Sequence, residues 1–347
     1  MAYASISKPS LHMNPKLYTG TGSSQGITGV GFQPDWTWIK DRDNSTAQLL
    51  FDAVRGAGKR IQSNNTDAEA TNNQQLSSFN SDGFTVGTNG DANGNSANFV
   101  SWNWKANGAG SSNSDGSLTS TVSVNTTAGF SIVKFVNNTS YTASTFGHGL
   151  GAVPKMIIMK SLDDAYNWDV YHEKVGATKR LVLNSNAAEG STSGFNNTAP
   201  TNQVFTLKSN HYGNGSEAIA YCFTNKKGYS KIDSYIGNGS TNGTFIYTGF
   251  KPAWVMIKNA DANEQWRVYD STREPSNRMF KCLFPNADSA ENTTDNASEE
   301  IDFLSNGIKI RSSAAQLNGS GNELIYMAFA EEPLVANVGA SIPATAR

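Results

Sequence analysis

Cysteine is nearly absent: the 347-residue chain holds two, Cys222 in AIAYCF and Cys282 in RMFKCLF. Two thiols in apolar surroundings build no disulfide framework. Neither has partners at metal-ligand or nucleophile spacing, so both read as small buried hydrophobes. Charge is also scarce. Lys, Arg, Asp and Glu make up 16% of the residues and the net charge is −2, against roughly 25% charged residues in ordinary soluble proteins. The basic face that nucleic acid or anionic lipid rewards is missing, so no nucleic-acid partner is expected. Apolar runs are only a handful of residues long, which excludes a membrane-spanning helix, and no membrane insertion is expected. The opening MAYASISKPS lacks the apolar core of a secretory signal. Long helical periodicity is missing as well. Single helical turns are expected near residues 67–79 and 288–304, the second opening with Asn and Thr residues able to cap it.

Catalytic constellations are lacking too. His12, His148, His172 and His211 are scattered, and each reads as a solvated or hydrogen-bonded loop residue. A Gly-x-Ser-x-Gly run surrounds Ser24, but a nucleophile elbow needs a strand before it and a helix after it, and LYTGT and ITGVG provide no helix. GHGLG and GNGSTNG lack the Lys-Ser/Thr ending and the strand–helix setting of a phosphate loop. NGDANGN at 89–95 places Asp91 and Asn93 as in part of a calcium loop without the closing Glu, so a hairpin tip is expected. Glu299 and Glu300 form an acidic pair that does not recur, whereas a glycosidase needs two carboxylates roughly 5–9 Å apart in a cleft. No catalytic, cofactor-binding or metal-ligating residue is assigned, the binding residues stay unknown, and no enzyme or cofactor is expected.

What is present is a repeat. Copy one contains GFQPDWTWIK (31–40), copy two GAVPKMIIMK (151–160) and copy three GFKPAWVMIK (249–258). Pro34, Pro154 and Pro252 align, as do Lys40, Lys160 and Lys258, each followed three residues later by Asp43, Asp163 or Asp261. A surface ion pair between that Lys and Asp would be worth little. LLFDAVRGAGKRI, DVYHEKVGATKRLVL and RVYDSTREPSNRMFKCLF follow, and His172 stands where the other copies carry Asp52 and Asp270. Each copy closes on an alternating segment: FVSWNWK, AIAYCFT and LIYMAFA. From Pro to the closing aromatic is 70, 69 and 77 residues. The length alone predicts about two domains at roughly 150 residues each, and the repeat revises this to three domain-sized units.

Each unit reads as short strands split by Gly, Asn, Asp and Ser, the count of 38 Asn and 32 Gly being about a fifth of the chain. Pro suits the opening of a strand because it cannot donate to a ladder. FVSWNWK alternates as a half-buried strand. GFTVG, VFTLKS and GIKIRS follow turns or loops at SDG, TNQ and SNG; the Asn-Gly and Asp-Gly pairs supply the positive φ of tight turns. The expected fold is all-β: three tandem antiparallel β-sandwich domains of jelly-roll or lectin-like type. The division is an N-terminal arm (1–13), β-repeat 1 (14–105), a Gly/Ser/Asn linker (106–120), β-repeat 2 (121–226), β-repeat 3 (227–333) and a C-terminal arm (334–347). The linker reads as flexible coil, which leaves repeat 1 loosely coupled, and both arms suit docking on a neighbour or disorder. Trp36, Trp38, Trp102, Trp104 and Trp254 fall at alternating strand positions and read as core. Trp168 and Trp266 are expected nearer the surface.

As a set, LYTGTGSSQGITGVGFQPDWTWIK, AGFSIVKFVNN with GHGLGAVPKMIIMK, and AYCFTNKKGYSKIDSYIGNGSTNGTFIYTGFKPAWVMIK resemble a repeated module of tailed-bacteriophage structural proteins, especially of marine and cyanobacterial phages. IDFLSNGIKIR with NGSGNELIYMAFAEEP is similar to that module's closing segment. The resemblance covers roughly residues 15–333, and copy two departs most, at Lys155 and Met156. It implies a virion structural protein, tail-fibre-like and without catalysis, located in the virion after synthesis in the host cytoplasm. The implied partners are other virion subunits, further copies of the chain (a trimer in the fibre class) and a host surface glycan or protein. The alternatives are a capsid decoration (head fibre) or tail connecting protein, and remotely a polysaccharide depolymerase. The resemblance carries over no site residues.

Overall fold

Alternating apolar segments between Gly and Asn turns fold into strands along the whole chain. The computed structural model describes residues 4–137 and 143–333. It is all-β, with six antiparallel sheets of six, eight, two, three, four and three strands, none closed. The first large sheet runs, in spatial order, Met13–Thr19, Asn98–Trp104, Trp36–Asp41, Leu49–Asp52, Lys59–Gln62, Ala70–Thr71. Copy two follows the same order with Phe130–Val136, Glu217–Phe223, Met156–Ser161, Asp169–His172, Lys179–Val182 and Gly190–Ser191. Copy three gives its first four strands, Ser230–Ile236, Glu323–Pro333, Phe250–Asn259 and Arg267–Asp270. In every copy the closing segment lies between the opening strand and the Pro–Lys strand. The register agrees as well: Trp38 faces Trp102, Ile158 faces Tyr221 and Met256 faces Met327. Pro252 sits at a register shift, where a missing N–H breaks no regular ladder. GFTVG, VFTLKS and GIKIRS supply strands of the three small sheets.

Each large sheet is buried on both faces. One face packs on the copy's own small sheet, as Ile39, Leu49, Phe51 and Phe99 do in copy one. The other face enters a single cluster shared by all three copies, with Trp36, Trp38, Trp102 and Trp104 beside Phe130, Tyr221 and Phe223 and beside Trp254, Met327 and Phe329. Trp36 stacks on Tyr221 at 4.4 Å, and Trp104 meets Trp254 edge to face at 5.5 Å. Four tryptophans at roughly 150–250 Å² each amount to a patch larger than the few hundred Å² a monomer usually exposes. Copy one therefore needs its neighbours as a cover.

This corrects several expectations. FVSWNWK is not half-buried: its polar residues are inside, with Asn103 accepting from Thr37 at 3.1 Å and donating to Asn14 O at 3.0 Å. Residues 106–120 are not a free coil. Asp35 accepts from the Ala106 and Gly108 amides at 2.6 and 3.1 Å, and Ser111–Asn113 extends the second large sheet. In the N-terminal arm Ala4 and Ile6 are buried and Ser5 N donates to Lys227 O at 3.0 Å, so this part docks on its own chain. The C-terminal arm lies outside the described residues. No helix forms at 67–79. A 3-10 turn, Ala297–Glu299, occupies the second expected place, and further turns form at Pro9–Leu11, Gly90–Asn93 and Ala315–Asn318. No helix among the described residues is long and apolar enough to cross a membrane.

Candidate functional site

The polar residues that recur in all three copies are consumed by the scaffold. Lys40, Lys160 and Lys258 are fully buried. Lys40 Nζ donates to Asn44 O, Thr46 O and Asp288 O at 3.0–3.1 Å. Lys160 donates to Ser161 O and Asp164 O, and Lys258 to Asn259 O and Ala262 O. Burial pulls each ammonium down to about 8. The expected Lys–Asp surface pair does not form. Asp43, Asp163 and Asp261 instead accept the first amides of the closing strands, from Asn98, Glu217 and Glu323, at 2.7–2.8 Å.

A second set ties the copies in a ring. Trp168 Nε1 donates to Gln62 O of copy one (2.8 Å), Trp266 Nε1 to Val182 O of copy two (3.0 Å), and Gln48 Nε2 of copy one to Phe284 O of copy three (3.0 Å). Gln48, Trp168 and Trp266 are equivalent positions, as are Gln62, Val182 and Phe284. Trp168 and Trp266 are thus buried, against expectation, because each indole is spent on a neighbouring copy. The amides of Glu69, Glu189 and Glu291 close a second ring on Leu162 O, Ala260 O and Arg42 O at 2.7–2.8 Å. Tyr221 donates its hydroxyl to Asp52 at 2.7 Å, and Trp102 its indole N–H to Asp270 at 2.9 Å. Each Asp also pairs with a buried Arg, Arg55 or Arg273, which reaches Glu69 or Glu291. Copy two replaces the pair by His172 and Val175. His172 accepts from Lys174 N at 3.2 Å, its Nε2 has no partner, and burial pulls it down to about 3.

The other residues singled out in the sequence do not converge. Ser24 lies in an exposed loop. His148 is buried, 3.2 Å from Thr201 O and accepting from Leu150 N. His12 lies 3.2 Å from Asn125 Nδ2 and edge-on to Tyr229. NGDANGN is a capped helical turn and not a hairpin tip: Asn89 accepts from Asp91 N, and Asn93 is buried. Glu299 pairs with Arg267, and Glu300 with Arg278 at 2.7 Å, so neither is a free carboxylate over a cleft. Cys222 and Cys282 are buried free thiols. No group of three His, Cys, Asp or Glu side chains able to hold a metal occurs among the described residues.

One cleft does gather chemistry. It measures about 300 Å³ in copy two and is lined by Tyr166, Asn167, Asp169, Arg180, Thr192, Ser193, Gly194 and His211. Asp169 opens the strand Asp169–His172 and is 1% exposed. Its Oδ2 accepts from His211 Nε2 at 2.6 Å and Tyr212 Oη at 3.0 Å, and its Oδ1 pairs with Arg180. Burial alone would raise this carboxyl; His211, Arg180 and Tyr212 together hold it below its ordinary value. A Cβ on Gly194 would lie 2.3 Å from His211 Cε1, so glycine is what lets the imidazole sit there. Sequence reading missed this cluster, because His211 lies 42 residues from Asp169. The available signal was Asp169 itself, an acid at a buried strand position where copy one has Leu49 and copy three Arg267.

The family model for a domain of unknown function (DUF7483) matches residues 8–333, spanning all three copies. No curated protein and no solved structure matches the chain.

Proposed function

The chain belongs to this domain family of unknown function, and we propose that it is a bacteriophage virion structural protein of tail-fibre type, which attaches to the host surface without catalysis. The observation that carries the reading is that the polar groups repeated in three copies are spent on scaffold contacts, the lysines buried and the aspartates at the surface. Lys40, Lys160, Lys258 and the Asp residues after them hold strands and a neighbouring copy together. An enzyme built from a triplicated unit would be expected to keep reacting groups at an open site. The resemblance of residues 15–333 to the phage module points the same way.

In this reading the copies are three antiparallel β-sandwich units, each a large sheet on a small one, closed into a ring by one polypeptide. The ring supplies from one chain the threefold arrangement that the fibre class obtains from three. The capsid-decoration alternative rests on the two short terminal arms and on the want of an enzyme or metal site in the sequence; the described part of the first arm is spent on its own chain. Immunogold labelling of intact particles tests the proposal. Gold at tail tips or fibres supports it. Gold spread over the head makes the chain a decoration protein, and absence from virion protein overturns the structural reading.

A further inference from the structure

We propose that the copy-two cleft between Tyr166, Arg180 and His211 is a saccharide-binding site. The inference rests on the attachment reading for its biological setting and on the cleft alone for its chemistry.

The first argument is charge. Asp169 is fully engaged by Arg180, His211 and Tyr212. The basic groups at the cleft already have partners: Arg180 and His211 bond Asp169, and Lys208 Nζ bonds Ser193 Oγ at 3.4 Å. A phosphate or nucleotide would have to draw them away; a polyol needs a dense set of neutral donors and acceptors. Asn167, Thr192 and Ser193 supply them in the lining. His211, whose Nε2 bonds Asp169, adds its second ring nitrogen to that lining.

The second argument is shape. Tyr166 is 41% exposed beside these polar groups. Its ring is held edge-on to the buried Tyr212 at 5.9 Å. An aromatic face that is apolar in the middle and ringed by polar groups matches the C–H face of a pyranose, which carries hydroxyls at its edge. A volume of about 300 Å³ is at the small end of ligand pockets, which limits the site to a short glycan segment.

The third argument is preorganisation. Asn184 Nδ2 donates to Asn167 Oδ1 at 2.9 Å, and Thr192 Oγ1 accepts from Gly194 N at 2.9 Å. The groups that would meet a ligand are thus held before it arrives, which lowers the entropic cost of binding. Copies one and three cannot repeat the site, since Leu49 and Arg267 stand at the position of Asp169.

The test is a printed array of bacterial surface oligosaccharides probed with the whole chain, followed by calorimetric titration of the strongest binder. Tyr166→Ala and Asn167→Ala change exposed positions and leave the fold intact, which a thermal melt verifies. The expected result is saccharide binding by the unchanged chain and roughly tenfold weaker binding in each variant. Binding that both variants retain in full moves the saccharide elsewhere and overturns the cleft assignment. Binding of no saccharide overturns it as well. Adsorption competition on host cells separates this from the attachment reading. Protein that blocks adsorption equally with and without Tyr166 keeps attachment and removes the cleft, whereas protein that binds the array but blocks nothing keeps the cleft and removes attachment.

Discussion

Replacing Arg55 with methionine should cost far more than the loss of a surface charge. Arg55 is 1% exposed and Asp52 is wholly buried. The guanidinium bonds Asp52 Oδ2, Glu69 Oε2, Lys59 O and Leu50 O. Methionine fills most of the volume but leaves Asp52 charged in the interior. Asp52 would keep only the amides of Val54 and Arg55 at 3.1 and 2.9 Å and the Tyr221 hydroxyl. Breaking one side of a buried pair costs about 3–5 kcal/mol, because the remaining ion is uncompensated. Removing both charges costs much less, so Asp52→Asn with Arg55→Met should lie well below the sum of the two single changes, by about 2 kcal/mol or more. Copy two lives with such an exchange, holding His172 and Val175 at these places. The assay is urea unfolding followed by tryptophan fluorescence, all seven indoles being buried. An Arg55→Met cost under about 1 kcal/mol, or a double variant equal to the sum of the singles, would refute the reasoning.

Acid should act through His172. Its folded pKa is about 3 and its unfolded one about 6.5, so between these values the unfolded chain binds the extra proton. Stability is then lost as pH falls below 6.5, at up to about 1.4 kcal/mol per unit, and His172→Gln should flatten the slope measured between pH 6.5 and 5. Lys40, Lys160 and Lys258 work in the same sense at higher pH. With folded values of about 8, they make stability rise from pH 8 toward 10, which urea midpoints will show. Asn93→Ala should cost about 2–4 kcal/mol. It removes acceptors for Thr21 N and Gln25 Nε2 and donors to Ser23 O and Gly87 O, a set that tethers the loop after Met13–Thr19. A loss under 1 kcal/mol in urea titration would contradict that role. Burial pushes the Cys282 thiol up to about 12 and Cys222 higher still, so a thiol reagent should find none in the native chain and two after unfolding.

The strands, the repeat and the buried place of Trp36, Trp38, Trp102, Trp104 and Trp254 were legible because alternation and spacing are local signals. The shared core was not. Ser101 and Asn103 alternate with tryptophans as a solvent face would, and only the hydrogen bonds from Thr37 and to Asn14 reveal that this face is inside. A period-2 pattern separates the two faces of a strand but does not say what covers each. Residues 106–120 have the composition of a linker, yet the carboxylate of Asp35, 71 residues before Ala106, fixes their start. Trp168 and Trp266 looked peripheral because their partners lie in other copies. The cleft around Asp169 was hidden for the same reason, its histidine arriving from a distant loop.

Scanning calorimetry of the whole chain tests the shared core most directly. A chain of this length would ordinarily unfold in steps. A cluster shared by all three copies and two closed rings of hydrogen bonds predict a single transition in which the calorimetric and van't Hoff enthalpies agree. Three separate transitions, or residues 14–105 folding cooperatively alone with the same midpoint, would contradict it.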